Sequence, residues 1–147
     1  MGALSSLDTR ILAFSASSFS LAKAALILGF WVQASAAKGF KSYPEIPLER
    51  TSGTGLKHLA GTISMARGPS PGSATSDFFV CITDTPENDF GGRRNADGQG
   101  FAAFGQVVAG MDVIRKVQAS PTQTGAGGRS TQSLQPPIVI LKAYRKK

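Results

Sequence analysis

The side chains best suited to covalent or metal chemistry are scarce in this sequence. It contains one histidine, His58, and one cysteine, Cys81. A lone cysteine cannot form an internal disulfide, and no carboxylate stands at metal-motif spacing beside His58. Cys81 fits a small buried hydrophobe, and His58 fits an exposed loop or strand edge. With no pattern of a catalytic triad or a carboxylate pair either, we expect no nucleophile, no metal site and no cofactor.

The aromatic residues could serve a different chemistry, which is binding in an apolar pocket. Phe78 and Phe79 are adjacent, so on a strand their rings face opposite sides, and the sequence alone favours the core for both. Phe90 lies in a glycine-rich loop, where an exposed ring would need a functional reason. The neighbouring Arg93 and Arg94 are expected to be solvated, and contact with a substrate or a partner is the alternative.

Length and composition place these residues in one globular domain. The chain has 147 residues, of which 41% are hydrophobic and 17% are charged. This composition excludes wholesale disorder. The 17 glycines and 8 prolines follow no fixed spacing, which excludes a collagen or a solenoid.

The net charge of +7 is concentrated at the two ends of the chain. Residues 1–43 carry an excess of three positive charges and residues 142–147 carry four, whereas eight basic and eight acidic side chains cancel in between. A basic tail of this size favours solubility or weak contact with polyanions. We therefore expect no sequence-specific nucleic acid partner, and a polyanion partner remains an alternative function.

The N-terminal segment has the pattern of an export signal. Lys23 precedes the apolar run 24–37, which ends in the small residues Ala34, Ser35 and Ala36. This pattern predicts a helical, signal-like segment over residues 1–43 that stays outside the main domain, with export to the periplasm or the medium. An uncleaved membrane anchor, a buried helix and a mis-assigned chain start remain open. Without export, the protein would be cytoplasmic.

From Pro44 onward, short apolar runs separated by turn residues predict an antiparallel, mainly β domain over residues 44–147. One short helix is expected where apolar residues recur at three-residue spacing. Two long loops are expected as well, the second of them mobile. The predicted strands are Thr62–Ala66, Phe78–Ile82, Ala103–Val108 with a bulge at Gly105, and Pro137–Leu141; the helix is Met111–Gln118; the loops are Asp84–Gly100 and Ala119–Gln135.

Three segments of this region occur in one order and spacing: Gly61–Ala66 (GTISMA), Ser76–Phe79 (SDFF) and Phe104–Val113 (FGQVVAGMDV). In this order and spacing they resemble the cyclophilin family of peptidyl-prolyl cis-trans isomerases. The loop from Phe90, followed by Asn95–Phe104, looks like a bacterial subgroup. The resemblance covers about residues 44–144 and implies a cyclophilin-like antiparallel β-barrel that acts on proline-containing polypeptides.

The reaction that this resemblance implies would suit the residue types present. Rotation about an X-Pro amide makes and breaks no bond, yet it has a barrier of about 18–20 kcal/mol because amide resonance is lost. Such a site needs an apolar pocket for the proline ring and donors that favour the twisted amide. Neither a nucleophile nor a metal is required.

By the same resemblance, substrate-binding roles fall on residues of this sequence. Phe79 would form the wall of the proline pocket, and Phe90 and Phe101 would flank it. Asp77 stands where many members carry glutamine, so the polarity of that position would differ. The rim would be formed by the backbone of Ala66, Arg67 and Gly68.

This sequence departs from the family pattern upstream of residue 60. The family's Phe-His-Arg segment and the Gln-Gly-Gly segment that follows it are absent there, so the catalytic arginine is unassigned. We therefore expect an incomplete barrel that lacks the family's N-terminal strands. Loss of one electrostatic donor costs on the order of 100- to 1000-fold in rate, so impaired isomerase activity is expected. The alternative is a non-catalytic module that binds proline peptides.

Overall fold

The structure, a computed structural model, describes residues 22–28, 30–36, 41–141 and 143. The chain segment before residue 22 and the basic tail, apart from Ala143, lie outside the described residues. Within the described residues there are eight strands and two α-helices, together with short 3₁₀ turns at Pro86–Asn88 and Ala126–Gly128. The elements are β1 (Ala22–Leu28), β2 (Trp31–Ala36), α1 (Thr51–Thr54), β3 (Thr62–Met65), β4 (Phe78–Cys81), β5 (Ala102–Gln106), α2 (Met111–Gln118), β6 (Thr122–Thr124), β7 (Ser130–Leu134) and β8 (Ile138–Val139).

Six of these strands form one antiparallel sheet in the order β5-β3-β4-β2-β1-β8. The strands β6 and β7 pair as a separate hairpin. Across the described residues the large sheet is open, with β5 and β8 at its edges. The prediction of a mainly β, antiparallel fold is therefore confirmed, and the described strands do not close into a barrel.

Strand β4 lies inside the sheet, and all four of its residues are buried. Because side chains alternate along a strand, Phe78 and Val80 pack on one face with Met111 of α2. Phe79 and Cys81 pack on the opposite face. The continuous apolar run therefore forms a strand that is covered on both sides, as its pattern predicts.

The neighbouring predicted elements also form. Strand β3 buries Ile63 and Met65 on the α2 face, as its alternation predicts. Its register against β5 shifts between Ile63 and Ser64, opposite Gly105 and Ala103, which is the expected bulge. Helix α2 has the predicted bounds and packs through Met111, Ile114 and Val117. No helix among the described residues has the length and the apolar content needed to cross a membrane.

The N-terminal prediction is wrong for residues 22–28 and 31–36. They form the antiparallel strands β1 and β2 within the main sheet, neither a helix nor a segment outside the domain. Strand β2 pairs with β4, with Val32 opposite Val80 and Gln33 opposite Phe79. Alanine and serine are poor strand formers, so this pairing and the burial of Trp31 set the conformation.

The second predicted loop, Ala119–Gln135, is also more ordered than expected. It contains the β6–β7 hairpin, whose last residue, Leu134, is only 1% exposed. Leu134 packs with Val32 and Val117 in one apolar cluster. Leu134 therefore anchors this segment against the sheet, although its glycine content alone suggests mobility.

Candidate functional site

A cavity of about 900 Å³ lies over the face of the sheet that carries Phe79. Six of the seven residues assigned to substrate binding by resemblance line it: Ala66, Arg67, Gly68, Asp77, Phe79 and Phe101. The lining also contains residues that no such role was predicted for: Trp31, Gln33, Pro69, Ser73, Thr75, Arg94, Asn95, Ala96, Asp97 and Gln132.

Three aromatic rings form the apolar floor of this cavity. The ring centroid of Phe79 lies 4.8 Å from that of Trp31 and 5.2 Å from that of Phe101. The Phe79 and Phe101 rings meet edge to face, an arrangement that adds about 0.5–1.5 kcal/mol to area burial. All three side chains are buried, so the floor is a packed surface against which a small apolar ring could lie.

The sheet pairing brings these rings together. Gln33 of β2 lies opposite Phe79 of β4, and Trp31, two residues earlier, lies opposite Cys81. Side chains two residues apart share a face, so Trp31 and Gln33 point to the same side as Phe79. Phe101, the residue just before β5, belongs to the same cluster.

His58 lies beneath the floor, and the prediction that it is exposed is wrong. Its side chain is buried, and its ring stacks on Phe79 with centroids 6.0 Å apart. The ring Nδ1 lies 2.7 Å from Asp89 Oδ1 and Nε2 lies 2.9 Å from Ser64 Oγ. Because the carboxylate only accepts, we assign the ring proton to Nδ1, so that Nε2 accepts the Ser64 hydroxyl proton.

Burial lowers the pKa of His58 below its usual value, because removal from water disfavours the charged ring. The hydrogen bond and the charge of Asp89 oppose this shift without cancelling it, and Lys57 adds to it. His58 is therefore a neutral ring near pH 7 that holds one wall of the aromatic cluster in place. Both ring nitrogens are used inside the protein.

The side chain of Arg67 is also committed to internal contacts. Its Nε donates to the Gly100 carbonyl at 2.8 Å, and one terminal nitrogen donates to the carbonyls of Gly68 and Pro69. The other terminal nitrogen donates to Asp97 Oδ1 at 2.8 Å, and this bond lowers the pKa of Asp97. Arg67 therefore fastens the loop before β5 to the cavity rim.

The guanidinium of Arg67 also lies over the Phe101 ring, with its carbon 5.4 Å from the ring centroid. The pair fixes both side chains at the edge of the cavity. Opposite them, the rim is held by backbone contacts: the N–H of Ala66 donates to the Asp77 carbonyl, and the N–H of Gly68 donates to Ser73 Oγ.

Phe90 is the predicted site residue that the structure does not bring to the cavity. Its side chain is 46% exposed and lies outside the residues that line the cavity. The backbone explains this position: the Phe90 N–H donates to Thr51 Oγ1 of α1, and Gly91, at a φ of 82°, turns the chain after it. A flanking role for Phe90 at this cavity is therefore not supported.

Trp31 and Gln33 are among the missed contributors, because both lay in the segment taken for a leader. Alternation of large and small residues across Trp31, Val32 and Gln33 was the available signal for a strand. Arg94 is exposed, as expected. In addition, its guanidinium carbon lies 4.9 Å from the centroid of the Trp31 ring, at the cavity wall.

Comparison with known proteins places this fold and cavity among related chains. The family model described as "Cyclophilin type peptidyl-prolyl cis-trans isomerase/CLD" matches residues 23–145, which include β2 and all of β1 except Ala22. The match therefore extends farther toward the N-terminus than the resemblance seen in the sequence motifs.

Three bacterial relatives show the extent of the similarity. A peptidyl-prolyl cis-trans isomerase of Acinetobacter baylyi is 41% identical over 78 residues, which are 53% of this chain and 39% of the relative. The peptidyl-prolyl cis-trans isomerase B of Escherichia coli is 34% identical over 94 residues (64% of this chain, 56% of the relative). The peptidyl-prolyl cis-trans isomerase A of Dickeya dadantii is 41% identical over 97 residues (66% and 48%). The chain thus spans about half the length of the curated relatives it matches.

Proposed function

Because the chain belongs to the cyclophilin-type peptidyl-prolyl cis-trans isomerase family, we propose that it binds X-Pro segments of polypeptides in the cavity over Phe79 and accelerates their isomerisation. The observation that carries this proposal is the packed aromatic floor of Trp31, Phe79 and Phe101 inside a cavity of about 900 Å³. A proline ring is a small apolar body of the kind that such a floor accommodates.

The chemistry asked of the cavity is modest. Twisting the X-Pro amide removes its resonance and reduces the charge separation between oxygen and nitrogen, so an apolar surrounding destabilises the planar forms relative to the twisted one. The rings of Phe79 and Phe101 would supply that surrounding. A donor near the amide would stabilise the twisted state further.

Because few donors are free near the cavity floor, we propose that catalysis is weak. The guanidinium of Arg67 already donates to Gly100, Asp97 and two further carbonyls. Among the described residues, Arg94 is the other guanidinium at the cavity, and it lies over Trp31 at one end. With no free cation over Phe79 in this part of the chain, we expect acceleration on the order of 100- to 1000-fold below that of a site with such a donor.

The same observation favours a second candidate, which is a non-catalytic module that binds proline peptides. Binding needs only the apolar floor and the rim, whereas catalysis also needs a donor aligned with the twisted amide. The two functions differ in a measurable way, because only the enzyme changes the exchange rate between cis and trans peptide.

The test uses the full chain, a proline tetrapeptide and two-dimensional NMR exchange spectroscopy. We expect peptide binding to shift the resonances of Phe79 and Phe101, with faster cis–trans exchange if the chain is an enzyme. Binding without faster exchange would select the module. If neither the shifts nor the rate change at millimolar peptide, the proposed function is wrong.

A matched pair of variants assigns the effect to the cavity. Phe79→Leu removes a ring from the cavity floor, and Phe78→Leu removes the adjacent ring from the other face of the sheet. Both are core substitutions with a similar stability cost of about 1–3 kcal/mol. We expect Phe79→Leu to weaken peptide binding roughly 10-fold and Phe78→Leu to leave it unchanged.

A further inference from the structure

The end of the cavity near Trp31 presents hydrogen-bond donors without acceptors. The guanidinium of Arg94 makes no hydrogen bond or ion pair with any described residue, although it lies 4.9 Å from the Trp31 ring centroid. The indole Nε1 of Trp31 and the amide Nδ2 of Asn95 are buried and have no acceptor within the described part of the chain. Since an indole nitrogen can only donate, the buried Trp31 N–H calls for an acceptor that no described residue supplies to it.

The Arg94 cation is positioned at this end of the cavity, while its hydrogen-bond donors stay available. The Arg94 guanidinium lies over the Trp31 ring, and this cation–π contact keeps the charge at this end of the cavity. Its N–H groups make no hydrogen bond with a described residue, so they remain for a ligand. A planar guanidinium with open donors matches the geometry of a carboxylate, which it can bind through two parallel hydrogen bonds.

The acidic groups of the cavity do not neutralise Arg94. The Asp97 carboxylate accepts from Arg67. Asp77 lies just before the start of β4, whereas Trp31 pairs with Cys81 at its end. Four residues of extended strand separate these positions, which is about 13 Å. Among the described residues neither carboxylate makes an ion pair with Arg94, so its charge remains for a ligand.

From this arrangement we infer that the cavity selects proline peptides that carry an acidic side chain close to the proline, with the carboxylate on Arg94. The inference rests on the proposed function, since it assumes a proline on Phe79. The Trp31 ring is 4.8 Å from Phe79 and 4.9 Å from the Arg94 guanidinium. An extended peptide advances about 3.3 Å per residue, so the acidic side chain lies within about three residues of the proline.

The test uses four blocked pentapeptides of one length: Ala-Glu-Pro-Glu-Ala, Ala-Gln-Pro-Gln-Ala, Ala-Lys-Pro-Lys-Ala and the proline-free Ala-Glu-Ala-Glu-Ala. Trp31 is the chain's single tryptophan, so its fluorescence reports binding at this end of the cavity. We expect the Glu-Pro peptide to bind roughly 10-fold more tightly than the Gln-Pro peptide, and the Lys-Pro peptide to bind least. The preference should shrink as salt is raised, because the ion pair is partly screened.

Two neighbouring arginines provide the matched variants. Arg94→Gln should abolish the preference for glutamate, whereas Arg93→Gln should keep it, because Arg93 has the same charge but does not line the cavity. Arg94→Lys keeps the charge without the planar fork and should retain only part of the preference. Arg94 is exposed at the surface, so none of these changes threatens the fold.

The outcomes separate this inference from the proposed function. Equal binding of the Glu-Pro and Gln-Pro peptides overturns the selection of acidic peptides, and so does a preference for glutamate that survives in Arg94→Gln. Either result leaves the proposed binding of proline peptides intact. If the Glu-Pro peptide and the proline-free acidic peptide bind equally well, and Arg94→Gln removes the binding of both, the carboxylate contact stands and the proposed function falls. If none of the four peptides binds, both fall.

Discussion

His58 links the stability of the protein to pH through one side chain. Its ring stacks on Phe79 and bonds to Asp89 and Ser64, so the cavity floor rests on a neutral, fully buried imidazole. The folded protein binds this proton less readily than the unfolded chain, because burial lowers the pKa of His58. Stability contributed in this way is present above the unfolded pKa of about 6.5 and is lost as the pH falls below it.

We predict that the free energy of unfolding declines between pH 7 and pH 5, and that His58→Gln removes this decline. The chain has no other histidine, so no other side chain has an ordinary pKa in that window. Urea unfolding at several pH values gives the slope. The variant is expected to be less stable at pH 7, since it leaves Asp89 and Ser64 without their ring partner. An identical slope in both proteins contradicts the assignment.

Residue identity alone could not have placed His58 in the core. A lone histidine in a segment of mixed polarity is typical of a surface, and its partners Ser64 and Asp89 are 6 and 31 positions away. The same limit applies to Trp31, whose partners Phe79 and Phe101 are far along the chain. Phe79, Phe101 and Arg67 were found because a family resemblance carries such distant contacts within it.

At the scale of elements, the loop from Asp84 to Gly100 is built to hold the cavity edge. The Phe101 N–H donates to the Asn88 carbonyl, and the Gly100 carbonyl accepts from Arg67. Gly100 has a φ of 68°, and a Cβ there would lie 2.6 Å from the Asn88 carbonyl oxygen. Backbone atoms cannot move aside as a flexible side chain can, so this position requires glycine.

We predict that Gly100→Ala destabilises the protein by about 2–4 kcal/mol, the sum of a left-handed alanine and a backbone clash. Gly98→Ala is the matched control, because Gly98 has a φ of 63° but nothing within 4 Å of a Cβ. It should lose only about 1–2 kcal/mol. Thermal and urea unfolding of the two variants provide the comparison. Equal losses would mean that the close approach of the loop is not a constraint.

Elements were predictable where their pattern is local. Helix α2 has the bounds that its three-residue spacing indicated, and β3 and β4 lie within the predicted runs. Strands β1 and β2 were missed because runs of alanine and serine carry little strand preference of their own. Their conformation comes from pairing with β4, a contact that no window of the sequence contains.

At the scale of the whole molecule, β2 joins all three apolar clusters. Trp31 packs with Phe79, Val32 packs with Leu134, and Ala34 packs with the cluster under α2. Strand β2 also covers one edge of β4. The N-terminal strands are therefore a structural part of the domain, and cleavage after Ala36, as the export prediction implies, would remove them.

We predict that a chain that starts at residue 37 does not fold. It would lose Trp31, Val32 and Ala34 from the core. It would also expose the edge of β4, and an unpaired strand edge favours aggregation. Circular dichroism during thermal unfolding should show a cooperative transition for the full chain and none for the shortened one. A soluble shortened chain with a cooperative transition would contradict this prediction.

The order of strands in the large sheet also bears on how the protein is made. Because β2 ends at Ala36 and its partner β4 begins at Phe78, the ribosome releases the first well before the second exists. At about 5–20 residues per second, a nascent chain with an apolar hairpin waits several seconds for its central strand. During that interval the edge of β2 that later pairs with β4 has no partner strand, and slower translation across residues 37–77 would lengthen this period.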